Sequence, residues 1–184
     1  ENLGLFQSFE EAEQLATELP DHDGVYLVPA FVGLGAPYWD AHARAAFIGM
    51  SRRTNRAHLI RAALESIAYQ VRDVFELIKS ESGVDLQVLR ADGGAAGNRF
   101  LMQFQADMLQ TEVVTSAVPE LSAMGSVYLG GLGMGIWSDP DEIAQLMPTS
   151  NRYEPRMAPD LVNRYYQGWQ KAVERVLTSR PEKG

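Results

Sequence analysis

The chain has 184 residues, 46% of them hydrophobic and 22% charged, which gives room for one domain with a substantial core and the composition of an ordinary globular protein. A net charge of −8 argues against a general electrostatic grip on nucleic acid or an anionic membrane surface. There is no cysteine, so disulfide frameworks and thiolate metal sites are excluded, and no run reaches the roughly 18 apolar residues needed to span a bilayer.

The N-terminal stretch Glu1 to Leu19 reads as the middle or end of a helix, with Phe9, Ala12, Leu15, Ala16 and Leu19 at helical spacing. It opens without an initiator Met or a signal peptide, and we expect a piece of a longer cytoplasmic protein. Pro20-Asp21-His22-Asp23-Gly24 ends the segment, and Val25 to Val28 reads as a buried strand. Pro29 to Asp40 is a loop, and Ala45 to Met50 a short strand or turn.

The clearest helix spans about His58 to Ser82, with Ile60, Ala63, Leu64, Ile67, Val71, Val74, Phe75 and Ile78 as one apolar stripe. Asn55 fits its N-cap and Gly83 its C-terminal stop. Leu86 to Ala91 reads as a strand. Phe100, Leu101, Phe104 and Met108 line a helix ending near Gln110. Glu112 to Val118 reads as a strand and Leu121 to Trp137 as an apolar helix. Ser138 to Pro159, polar and with four prolines, reads as a surface connection. Leu161, Tyr165, Trp169, Val173 and Val176 mark a last amphipathic helix. Strands alternating with helices predict an α/β layered domain, a sheet flanked by helices.

Asp92-Gly93-Gly94 follows an apolar strand and precedes a helix. Glycine can take positive φ and let a ligand reach the main chain, and the first N–H groups of the next helix face the same point. Asn98 carries an amide that suits a base or ribose edge. The alternative is a tight turn with Asn98 as an N-cap. Gly125, Gly130, Gly131, Gly133 and Gly135 weaken a helix unless close approach to a sheet, or space for a nucleotide, offsets the cost. Pro37-Tyr38-Trp39-Asp40 reads as a structural turn more than a binding loop. Arg52, Arg53 and Arg56 read as a solvated basic turn, with a phosphate site as the alternative. His22, His42 and His58 lack metal-ligand spacing, and no Walker-type loop or Ser/His/Asp arrangement is present.

Taken in order, these segments resemble the FGGY family of carbohydrate kinases along nearly the whole chain. Gly49-Met50, then His58-Leu59, then Ala62-Ala63-Leu64-Glu65 is similar to a family signature. Val28-Pro29-Ala30-Phe31, Gly33-Leu34-Gly35-Ala36-Pro37-Tyr38-Trp39-Asp40 and Tyr69-Gln70-Val71-Arg72-Asp73-Val74 look most like the members that phosphorylate glycerol. Ala45, Val71 and the stretch Ser122 to Ser126 depart from the usual spelling of those members.

The resemblance implies an actin/Hsp70-like (ribonuclease H-like) ATPase fold, with residues 1–184 as a C-terminal nucleotide-binding domain truncated on its N-terminal side. It implies ATP and Mg²⁺ as cofactors. It places Gly93, Gly94 and Asn98 against ATP or ADP, and the catalytic aspartate, polyol-binding groups and first phosphate loops upstream of Glu1. The partners expected are the nucleotide and a small polyol, with no nucleic acid and no membrane, and a homo-oligomer is left open. A kinase for another polyol or ketose, or a non-catalytic actin-like module, are the alternatives. The 184 residues alone are expected to be inactive.

Overall fold

The computed structural model describes residues 4–116, 121–146 and 149–178. Helix α1 (Phe9–Glu18) starts later than the sequence suggests, because the Ser8 hydroxyl accepts a hydrogen bond from Glu11 N at 3.2 Å and caps it. Only Ala12 and Ala16 of its stripe are buried, and Phe9 points into solvent. Strands β1 (Tyr26–Val28) and β2 (Ala46–Ile48) form an antiparallel pair.

Helix α2 (Arg56–Ser82) is set by local chemistry at both ends. Asn55 accepts from Ala57 N at 3.0 Å, and the His58 ring reaches back to the Asn55 backbone. Gly83 closes the helix at φ 65°, a left-handed conformation that costs glycine nothing. The face it buries differs from the predicted stripe. Arg61, Glu65, Ser66, Tyr69 and Asp73 are inside, while Ile67, Val74 and Ile78 are exposed. Arg61 and Glu65 can be buried because they pair with each other, Nε to Oε1 at 2.6 Å. Arg61 Nη1 also donates to the carbonyls of Ala16 and Leu19, at 3.4 and 2.5 Å. It thereby serves carbonyls that the end of α1 leaves open.

Strand β3 (Val88–Ala91) lies parallel to β4 (Glu112–Ser116), with α3 (Arg99–Leu109) as the crossover. Residues 117 and 118, also expected in β4, fall outside the described residues. Helix α4 (Leu121–Gly133) stops before Trp137, and Gly135 takes φ 73°. The expected surface connection instead holds α5 (Pro140–Leu146) and β5 (Thr149–Tyr153), and β5 pairs antiparallel with β4. Asp139 Oδ1 accepts from Asp141 N and Glu142 N at 2.8 and 3.0 Å, so the Asp-Pro step that reads as loop begins a helix. The sheet order is β3-β4-β5.

Helix α6 (Pro159–Glu174) buries Val162, Tyr165, Trp169, Ala172 and Val173 against the core. The Trp169 ring stacks on Tyr69 at 5.3 Å between centroids, and Phe104 meets Tyr69 edge-on at 5.5 Å.

One buried cluster has opposing titrations. His22 packs between Tyr26 and Tyr165, and its Nδ1 accepts from Gly24 N. Burial, with Arg61 nearby, lowers its pKa to about 4. Burial lifts the Glu65 carboxyl to about 7, against the pull of Arg61. Folding therefore releases a proton at His22 as its value falls from 6.5, a contribution lost as pH drops from 6.5 toward 4. Folding takes up a proton at Glu65, so that contribution weakens as pH rises from 4.5 toward 7. Between pH ~4.5 and ~6.5 the two slopes oppose and nearly cancel. Glu65→Gln is expected to unmask a stability that climbs with pH in this window, and His22→Gln one that falls. Each difference from the parent would reach at most about 3 kcal/mol. Urea titrations at several pH values check the signs.

Candidate nucleotide-binding turn

The segment after β3 is the strand–turn–helix junction that the sequence predicts. Gly93 sits at φ 83° and ψ −178°, a conformation closed to other residues in practice. Gly94 to Gly97 then form one 3₁₀ turn, with Ala96 N donating to Gly93 O and Asn98 N to Ala95 O, both at 3.1 Å. Asn98 accepts from Leu101 N at 2.8 Å through Oδ1 and caps α3. The capping role raised as the alternative is therefore real. It uses only one end of the amide, and Nδ2 has no partner among the described residues.

Gly93, Gly94 and Gly97 are exposed, and a Cβ added to any of them would meet nothing within 4 Å. Backbone geometry accounts for glycine at Gly93. At Gly94 and Gly97 neither φ nor packing demands it. Both lie beyond the carboxyl end of a parallel strand, the end where α/β sheets hold their ligands. From α1, Glu13 Oε1 accepts from Arg99 N at 3.1 Å and fixes the first turn of α3 from the side.

The other candidates separate from this site. Arg53 pairs with Asp23, and Arg56 with Glu11 at 3.3 Å, all on the surface, as a basic turn does. A Cβ at Gly125, Gly130 or Gly133 would meet nothing within 4 Å, so no close approach to a sheet among the described residues explains these glycines. Of the glycines in α4, Gly131 is crowded, by the Trp137 ring. The Pro37 to Asp40 turn is structural. Asp40 is buried and accepts from His42 N, Ala43 N, and the Thr178 backbone and hydroxyl. These bonds, the Thr178 N–H first, hold its carboxyl down to about 2.

Sequence reasoning did not single out Asp73 as a hub. Its carboxylate accepts from Tyr38 OH at 3.0 Å, Tyr166 OH at 2.6 Å and Trp169 Nε1 at 2.9 Å. Burial raises its pKa, with the three donors and Arg72 opposing. The available signal was an acid on the long helix α2 together with an aromatic-rich last helix. Among the described residues no group of three or more His, Asp or Glu could hold a metal ion, and no helix is long and apolar enough to cross a membrane.

Residues 2–134 match the FGGY family of carbohydrate kinases, C-terminal domain. A glycerol kinase of Francisella philomiragia is 49% identical over 177 residues, covering 96% of this chain and 36% of that protein. The crystal structure of Plasmodium falciparum glycerol kinase with ADP superposes with a TM-score of 0.88 at 34% identity, over 97% of this chain and 36% of that one. Xylulose kinase from Rhodospirillum rubrum superposes at 0.77 with 29% identity, over 90% and 33%. The chain thus spans about a third of the length of these relatives. It belongs to the FGGY family of carbohydrate kinases and carries that family's C-terminal domain.

Proposed function

We propose that this chain forms the nucleotide-binding wall of a glycerol kinase, which transfers the γ-phosphoryl group of ATP to a glycerol hydroxyl. The observation that carries the reading is the open glycine surface at Gly94 and Gly97, beside the unused Nδ2 of Asn98. Glycines that the fold does not require, at the carboxyl end of a parallel strand, suit close contact with a flat ligand such as adenosine. The ADP in the Plasmodium structure and the glycerol kinase identity of the Francisella relative support the choice of nucleotide and polyol.

In-line transfer asks mainly for positioning and charge stabilisation. The part of it that these residues serve is holding the base and ribose still. The described residues offer no cradle for Mg²⁺, and no step is assigned to it. The acid–base carboxylate and the polyol site belong, in this reading, to the further length that the relatives carry. The cytoplasm, where ATP is made and spent, is the setting it calls for.

The test uses a graft in which these 184 residues replace the matching segment of the Francisella philomiragia glycerol kinase. Gly94→Val in the graft is expected to raise the KM for ATP at least tenfold, about 1.4 kcal/mol, with the KM for glycerol nearly unchanged. An unaltered ATP KM in a folded variant sinks the assignment. The 184 residues alone, given ATP, Mg²⁺ and glycerol, are expected to make no product above background. Turnover near the usual kinase range of about 1–100 s⁻¹ would refute the division of labour.

A further inference from the structure

Helix α1 is pinned to α2 at two points. Arg56 pairs with Glu11 near its start at 3.3 Å, and Arg61 Nη1 takes the carbonyls of Ala16 and Leu19 at its end. Between those points the half-buried Glu13 reaches a different helix: its Oε1 accepts from Arg99 N at 3.1 Å. Arg99 is the first residue of α3, and Asn98 is its cap. Leu101 N donates to Asn98 Oδ1 and Met102 N to Asn98 O. The Arg61 guanidinium lies over the Phe100 ring, 5.2 Å from its centroid. The first turn of α3 is thus held from α1 and α2 as well as by its own cap. The open N–H groups of a helix start draw anions. Here a carboxylate already sits on one of them, which disfavours a phosphate at that point and leaves the turn to base and ribose.

We infer that Glu13 is a positioning residue of the nucleotide site, an inference that rests on the reading of Gly94 and Asn98 as nucleotide contacts. Glu13 acts by fixing the turn from which Asn98 presents its amide. With Oδ1 tied to Leu101 N, the direction of Asn98 Nδ2 follows the backbone of that turn. The turn has little packing of its own to hold it. Gly94 to Gly97 carry no side chain larger than a methyl group, and none of the four is buried. A carboxylate on the Arg99 N–H makes a charge-assisted bond, stronger than a neutral one, and it comes from a helix that α2 already holds in place. A small displacement of a ligand-positioning group is enough to weaken what it holds.

The test uses the graft. Glu13→Ala is expected to raise the KM for ATP about fivefold, with kcat and the KM for glycerol within about twofold of the parent. Glu13→Gln keeps the reach and an acceptor oxygen, and is expected to bring the ATP KM back to within about twofold. Glu13→Asp keeps the charge but is too short to reach Arg99 N, and is expected to behave like the alanine variant. Asn98→Ala is expected to raise the ATP KM by itself. Adding Glu13→Ala to it should then raise the KM less than about twofold further, because Glu13 acts through Asn98. Glu11→Ala releases the start of α1 from Arg56 without touching α3, and is the control expected to leave the ATP KM unmoved. An ATP KM unmoved by Glu13→Ala, or moved as far by Glu11→Ala, overturns the inference while the Gly94 and Asn98 assignments stand. Full additivity with Asn98→Ala, or rescue by aspartate in place of glutamine, overturns it as well. An ATP KM unmoved by both Gly94→Val and Asn98→Ala would instead sink the nucleotide reading, and the role of Glu13 with it.

Discussion

Asp73→Ala is expected to lower stability by about 4 kcal/mol, or roughly 8–16 °C in Tm for a chain of this size. Three donors converge on this carboxylate from two parts of the chain: Tyr38 in the Gly33 to Asp40 loop, and Tyr166 and Trp169 on α6. Hydrogen bonds to a charged group contribute about 1.5–3 kcal/mol each, and a donor stranded in the interior costs its full desolvation. Asp73 is 4% exposed, so water cannot simply replace it. The raised carboxyl shows that burying the charge has its own cost, which keeps the net below the sum of three bonds. Asp73→Asn keeps one acceptor oxygen and is expected to cost about half as much. Chemical denaturation of the variants checks both. A loss under about 1 kcal/mol for the alanine variant would mean that the loop and α6 are held mainly by apolar packing.

Glu65→Ala is the second large effect, expected at about 3 kcal/mol, because it leaves the Arg61 guanidinium buried beside no carboxylate. Arg61 is 6% exposed and keeps its bonds to the carbonyls of Ala16 and Leu19, which holds the cost toward the lower end. The damage should be local, with faster amide exchange across Phe9–Glu18, whose last carbonyls Arg61 serves. Arg61→Met combined with Glu65→Leu is expected to recover most of the loss, since two apolar residues of similar volume need no pairing. A double variant no better than Glu65→Ala would place the importance of Arg61 in its carbonyl contacts.

The ends of α2 were legible because they depend on neighbours in sequence. Asn55 and Gly83 act within a turn of themselves. The Gly93 turn was legible for the same reason. The buried face of α2 was not, since a hydrophobic stripe records what some partner covers, and the covering of Ile67, Val74 and Ile78 is not among the described residues. Polar residues took the inside because pairing made it tolerable: Arg61 with Glu65 one turn along α2 and, at long range, with the carbonyls of α1, and Asp73 with α6. Strand β5 was hidden by its polar composition, Thr-Ser-Asn-Arg-Tyr, and its place beside β4 is set by pairing across the sheet rather than by its own pattern. At the candidate site, sequence left open whether Asn98 caps α3, and the bond from Leu101 N to its Oδ1 answers that.

The three tryptophans sit in three different optical surroundings. Trp169 is fully enclosed, stacked on Tyr69 with its indole N–H on a carboxylate, and its emission should be blue-shifted and partly quenched. Trp39 stands 78% exposed on the loop that Asp40 anchors, and should emit to the red. Trp137 lies half-covered against Tyr128 beyond α4. Keeping one indole at a time and replacing the other two with phenylalanine would turn ordinary fluorescence into three separate reporters. One would watch the interior, one the loop, and one the region beyond α4, so that a melting curve resolves which lets go first.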